Sequence, residues 1–116
     1  MFETLEIFDL ATARARHAAL RQNVVARNIA NADTPGFRAQ TTADFQDVFR
    51  RLGDGERMAM ADFGRPFDAH RPISPNGNSV SLELEMVASI DAQRAHNRAL
   101  NVYRSAMNVM RTSIGR

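Results

Sequence analysis

The sequence predicts an all-α protein built from two long N- and C-terminal helices, antiparallel and coiled-coil-like, joined by a long irregular stretch and ordered mainly on assembly. Three observations predict it. In the first and last thirds, apolar residues recur every seven positions with others three or four apart between them, the spacing of a helical stripe. Both of those thirds run from acidic to basic. The middle third breaks into glycine and proline phrases that no helix can span. The 116 residues read as one domain, with an N-terminal helix over 2–31, a turn and irregular segment over 32–78, and a C-terminal helix over 79–114.

In the first helix, Phe8, Ala15, Gln22 and Ile29 hold one heptad position, and Ala11, Ala18 and Val25 hold the next. This seam is narrow and rich in alanine. It stops within Asn28-Ile29-Ala30-Asn31-Ala32-Asp33-Thr34-Pro35-Gly36-Phe37-Arg38. Asn31 is expected to take the left-handed conformation that caps a helix C-terminus, and Pro35 cannot continue a helix. In Thr34-Pro35-Gly36-Phe37 the proline suits the second turn position and the glycine the third, where a type II turn needs positive φ. A plain stop needs one glycine or proline. This run spends more positions than that on capping, turning and an aromatic, which points to a corner that other molecules contact.

The middle segment has four glycines and three prolines between Gly53 and Gly77. Phe45, Val48, Phe49 and Leu52 have the spacing of one or two helical turns, while Met58, Met60, Phe63 and Phe67 suit short extended contacts. A loop of this length without strong structure of its own is usually functional or mobile.

Ser79 or Ser81 is placed to cap the last helix. Glu83 and Glu85 then fall in its first turn, where free backbone N–H groups favour negative charge, and that role accounts for both. Met86, Gln93, Leu100, Met107 and Ile114 recur every seven residues, Leu82, Tyr103 and Met110 share the neighbouring position, and Val87 and Ile90 widen the stripe. The assembly seams read from this pattern are Phe8, Ala11, Ala15, Ala18, Val25 and Ile29 on the first helix. On the second they are Leu82, Met86, Ile90, Leu100, Tyr103, Met107, Met110 and Ile114.

Helices of about 30 residues are roughly 45 Å long. Glu3, Glu6 and Asp9 precede Arg14, Arg16, Arg21 and Arg27, and Glu83, Glu85 and Asp91 precede Arg94, Arg98, Arg104 and Arg111. An antiparallel pair sets each acidic end beside a basic one and brings both chain termini to the same end. Exposed ion pairs contribute only ~0.2–1 kcal/mol each, so they choose the orientation more than they stabilise it. With seven Phe, one Tyr and no Trp, large core-filling side chains are scarce. Two such helices alone are short of partners, and the free subunit is expected to be partly disordered and to order with other chains.

No catalytic, metal or cofactor site is predicted. Cysteine is absent, which removes disulfides, thiolate nucleophiles and Cys-based zinc sites. His17, His70 and His96 have no metal-ligand spacing, and His17 and His96 read as helix-surface or seam residues. No serine lies in a Gly-x-Ser-x-Gly elbow, so an enzyme is not expected. All 15 basic residues are arginine, which gives a pI near 10.3 at a formal charge of only +2. They are scattered rather than gathered in a patch, which argues against a nucleic-acid partner. The acidic N-terminus and the lack of an 18-residue apolar run predict neither a cleaved signal nor a membrane span. On these grounds a two-helix coiled-coil adaptor remains an alternative.

Ala30-Asn31-Ala32-Asp33-Thr34-Pro35-Gly36-Phe37-Arg38 resembles throughout the signature that follows the first helix of the flagellar basal-body rod proteins. Val24 to Ile29 resembles the run leading into it. Glu85-Met86-Val87 and Ala92-Gln93-Arg94-Ala95 look like the C-terminal helix of the same family. Phe37 stands where Tyr is commoner and Arg38 where Lys is, and both keep the local chemistry. The Gly77-Asn78-Ser79-Val80-Ser81-Leu82-Glu83 run and the Met110 to Ile114 ending look most like the proximal-rod members. The resemblance implies a non-enzymatic building block of the rod that joins the inner-membrane ring to the hook and transmits torque. It implies a family motif at Ala30, Asn31, Thr34, Pro35, Gly36, Phe37 and Arg38, with no cofactor. Its implied partners are other rod subunits, the adaptor FliE, the membrane ring and the export gate, and its implied location is the periplasmic rod of the basal body, reached through the flagellar type III apparatus.

Overall fold

The computed structural model describes residues 2–51 and 62–115. Its elements are α1 (Phe2–Ala30), β1 (Gln40–Thr41), α2 (Phe45–Arg51), β2 (Phe67–Asp68) and α3 (Leu82–Ile114). The helices α1 and α3 form an antiparallel hairpin. The rings of Phe8 and Tyr103 meet edge to face at 4.9 Å, Gln22 donates to Gln93 at 2.8 Å, and Asn28 donates to Glu85 at 3.0 Å. Numbers rise along one helix as they fall along the other, so both termini lie at one end and the corner at the other. The molecule is 65 Å in its longest dimension.

The pair closes on a different line from the one that carries the large side chains. On α3 the buried residues are Glu85, Ala92, Ala99 and Ala106, each one position before Met86, Gln93, Leu100 and Met107. They face Ala11, Ala18 and Val25, which are also buried. Alanine on both sides brings the two backbones close, and larger side chains are turned away from the line of contact. Ile29, Leu82, Met86, Ile90, Tyr103 and Ile114 therefore do not lie in the seam of the single chain, being between 38% and 66% exposed. Phe8, Ala15, Leu100, Met107 and Met110 are half-buried.

A second packing layer covers another face of α1. Phe45 and Val48 of α2, with Phe63, bury against Ala13, and Leu10, Leu20 and Ala43 pack round them. The guanidinium groups of Arg14 and Arg16 lie over the Phe45 and Phe63 rings at 4.5 and 5.2 Å. His17 is under this layer, neither a surface nor a seam residue. Its Nε2 is 2.7 Å from the Ala43 carbonyl oxygen, and its ring meets Phe45 and Phe63 edge to face at 5.7 and 5.3 Å. Burial lowers its pKa below 6.5, against the opposing effect of the Ala43 hydrogen bond. Phe49 and Phe67 are half exposed, and Leu52, Met58 and Met60 lie outside the described residues.

The strands β1 and β2 pair antiparallel, Gln40 with Asp68 and Thr41 with Phe67. So short a ladder has no periodicity to read in the sequence. Ser81 is the N-cap of α3, its Oγ accepting from the Leu84 N–H at 3.4 Å. Ser79 stays outside the helix, and its Oγ accepts from the Ala39 N–H at 2.8 Å.

Candidate functional site

The corner at the end of α1 is closed by two turns facing each other. In the first, the Phe37 N–H donates to the Thr34 carbonyl at 3.2 Å and Gly36 has φ +79°. In the second, Ser74-Pro75-Asn76-Gly77, the Gly77 N–H donates to the Ser74 carbonyl at 2.8 Å and Gly77 has φ +85°. The Gly36 N–H crosses to the Asn76 carbonyl at 3.0 Å, and the Ser79 N–H to the Phe37 carbonyl at 3.0 Å. A Cβ on Gly77 would stand 3.2 Å from the Gly36 Cα, so the two backbones touch where neither residue has a side chain.

Asn31 does not take the left-handed conformation expected of it, because among the described non-glycine residues only His70 has positive φ. The helix ends by another route. The Asn31 N–H still donates to the Arg27 carbonyl at 3.1 Å, and its side-chain amide donates to the same carbonyl at 2.8 Å. The Asn31 carbonyl, left free by the end of α1, accepts from the Thr34 N–H at 3.1 Å and from Asn78 Nδ2 at 2.8 Å. Asn78 also donates to the Thr34 carbonyl at 2.7 Å, while its Oδ1 accepts from the Val80 N–H at 2.7 Å. One buried amide thus holds both the end of the helix and the turn after it.

One turn back on α1, Asn28 does the same for the strand. Its Oδ1 accepts from the Gln40 N–H at 3.0 Å and its Nδ2 donates to the Gln40 carbonyl at 2.8 Å. The same Nδ2 donates to Glu85 Oε1, which also accepts from Arg71. Glu85 is 1% exposed, so its position in the first turn of α3 does not account for it; exposed Glu83 fits that role better. Every buried side-chain nitrogen and oxygen among the described residues has a partner.

Of the family-motif positions, Asn31 and Phe37 are half-buried, and Ala30, Thr34, Pro35, Gly36 and Arg38 are exposed. The structure brings them together with Asn28, Gln40, Arg71, Asn78 and Glu85, none of which the sequence pattern assigned to the corner. Two signals pointed to these. Asn28 is a poor helix former kept inside a helix, and Pro75-Asn76-Gly77-Asn78 repeats the turn chemistry of Thr34-Pro35-Gly36. No group of three or more His, Asp or Glu placed to hold a metal exists among the described residues, and no helix is long and apolar enough to cross a membrane. The arrangement is a joint that ties α1 and α3 to the strap between them, residues 69–81 from the end of β2 to the start of α3.

Comparison with known proteins falls on the same feature. The sequence profile of the family "Flagella basal body rod protein" matches residues 9–38, from the first third of α1 through the first turn. An alignment of 131 positions, covering 98% of this chain and 96% of the relative, gives 28% identity to the flagellar basal body rod protein FlgB of Agrobacterium fabrum strain C58. Over this signature, and along nearly all its length, the chain is similar to flagellar basal-body rod proteins. Within that class the chain is FlgB-like along nearly all its length. Both names describe a component of the flagellar basal-body rod.

Proposed function

We propose that this chain is a subunit of the proximal rod, polymerising with other rod subunits to link the inner-membrane ring to the distal rod and hook and to transmit torque. The clasped corner is the observation that carries this reading. A rod subunit under torque needs its two helices held at a fixed angle, and this corner ties α1, the strap and α3 with hydrogen bonds that leave Thr34, Pro35, Gly36 and Arg38 on the surface. Those residues are free to meet a neighbour. The large apolar side chains on the outside of the hairpin, Ile29, Leu82, Met86 and Ile90 among them, serve as assembly faces. The partners are other rod subunits, the adaptor FliE, the membrane ring and the export gate, within the periplasmic part of the basal body. No reaction or cofactor is part of this role.

Complementation tests it. Expressed in a strain that lacks its proximal rod, the chain should restore swimming and rods visible by electron microscopy. A two-helix adaptor would restore neither, and its binding would survive removal of residues 31–37. The isolated chain should gain helix by circular dichroism when mixed with rod partners.

A further inference from the structure

Asn76 alone among the asparagines of this chain is followed by glycine. That pairing has a chemistry of its own. The backbone nitrogen of the next residue can attack the asparagine side-chain carbon, and glycine, having no Cβ, leaves the approach open. Glycine is needed at 77 for a different reason, since its φ is +85° and a Cβ there would stand 3.2 Å from the Gly36 Cα. The close approach of the two turns thus sets a reactive dipeptide into the clasp they form, with Asn76 exposed to water.

The closed clasp holds each group that the reaction must move. Ring closure strips the Gly77 N–H of its proton and swings the 76–77 peptide group onto the Asn76 side chain, yet both ends of that group are tied. Its carbonyl accepts from the Gly36 N–H at 3.0 Å, and its N–H donates to the Ser74 carbonyl at 2.8 Å. The side chain is tied as well, its Oδ1 accepting from the Asn78 N–H at 3.0 Å. Asn78 is guarded in the same way. Its carbonyl accepts from the Ser74 N–H at 2.8 Å, the Ser79 N–H donates to the Phe37 carbonyl at 3.0 Å, and its side chain is buried. Ser79 also carries a Cβ, so Asn76 is the more reactive of the two.

We infer that Asn76-Gly77 is a self-modification site, silent while the clasp is closed and reactive once it opens. The deprotonated Gly77 nitrogen forms a bond to Asn76 Cγ, the Cγ–Nδ2 bond breaks, and the side-chain nitrogen leaves as ammonia with the proton that Gly77 gave up. Water then opens the cyclic imide. Opening at Cγ gives an aspartate at position 76, and opening at the other carbonyl gives an isoaspartate whose main chain runs through Cβ and Cγ. One water enters, one ammonia leaves, and no electrons change hands. The two products differ in consequence. The aspartate keeps the chain length and an oxygen for the Asn78 N–H. The isoaspartate adds a carbon to the chain and turns the carbonyl that bonded Gly36 into a carboxylate off the main chain, so the turns no longer meet. A corner that has stood open is thereby marked against reclosing, whatever the chain assembles with.

The test follows the full-length chain at mildly alkaline pH, with peptide mapping of position 76 for aspartate and isoaspartate. The chain in an osmolyte that favours the compact state is compared with the chain in guanidinium. If only the open corner reacts, the rate scales with its population, and the compact chain should be modified at least about tenfold more slowly. Asn78→Ala removes the amide that holds Asn31 and Thr34, so it should speed the reaction in osmolyte and leave the rate in guanidinium unchanged. Gly77→Ala should slow the reaction in guanidinium, where no clasp exists. Returned to osmolyte, an Asn76→Asp variant should keep slow hydrogen exchange at the Gly36 and Ser79 amides, and the purified isoaspartate chain should lose it. Equal rates in osmolyte and guanidinium, indifference to Asn78→Ala or to Gly77→Ala, or earlier modification of Asn78 overturns the inference. So does an isoaspartate chain that recovers both protected amides.

Discussion

The side-chain amide of Asn28 and the carboxylate of Glu85 meet at 3.0 Å in the interior, although 57 residues separate them in the chain. Glu85 takes a second bond from Arg71, so one carboxylate ties α1, the strap and α3. Glu85→Ala strands two donors and should cost about 2–3 kcal/mol, whereas Glu85→Gln keeps an acceptor oxygen and should cost less. The check is the urea midpoint of the helical signal, measured in an osmolyte that favours the compact state.

Gly36 and Gly77 both hold positive φ, but only Gly77 faces another backbone closely. Alanine at either site should cost about 1–2 kcal/mol from the left-handed conformation alone. Gly77→Ala should cost more than Gly36→Ala, because its Cβ would press on the Gly36 Cα at 3.2 Å while one on Gly36 meets nothing within 4 Å. Pro35→Ala and Gly36→Ala should impair assembly, scored as swimming, while leaving the circular dichroism of the two helices nearly unchanged.

Burial holds the His17 pKa below its ordinary 6.5, so the folded chain prefers the neutral ring. The unfolded chain therefore binds the proton more readily. The stability this provides is complete above pH 6.5 and is lost as pH falls from there through the lowered value. Thermal melts between pH 7.5 and 5.5 should show a falling midpoint, and His17→Leu should flatten that part of the curve.

The alanine seam and the exposed stripe of α3 should respond oppositely to mutation. Ala99→Leu forces a large side chain into the line where the helices touch and should destabilise the hairpin by about 1–3 kcal/mol. Met86→Ala removes a side chain that is 63% exposed and should leave the melt unchanged. Its effect should appear in rod assembly instead.

Much of this architecture was legible in the sequence. The heptad spacing and the opposed charge gradients of the two arms were enough to indicate the antiparallel hairpin, and Pro35 and Gly36 to indicate the first turn. The register of the seam was not. Hydrophobic size pointed to Met86 and Leu100, but helices that approach closely select the smallest residues, and Ala92 and Ala99 won. Asn78 and Glu85 were missed for another reason. A buried amide or carboxylate is defined by partners far away in the chain, such as Thr34 and Asn28, and local pattern carries no record of them.

Apart from the Arg71–Glu85 ion pair and the bond from Asn28 to that carboxylate, the corner is tied by neutral groups: the amides of Asn31 and Asn78, the hydroxyl of Ser79, and main-chain N–H and C=O groups. Dissolved ions screen charges and leave such bonds almost untouched. The angle between the arms should therefore change little between low and high ionic strength.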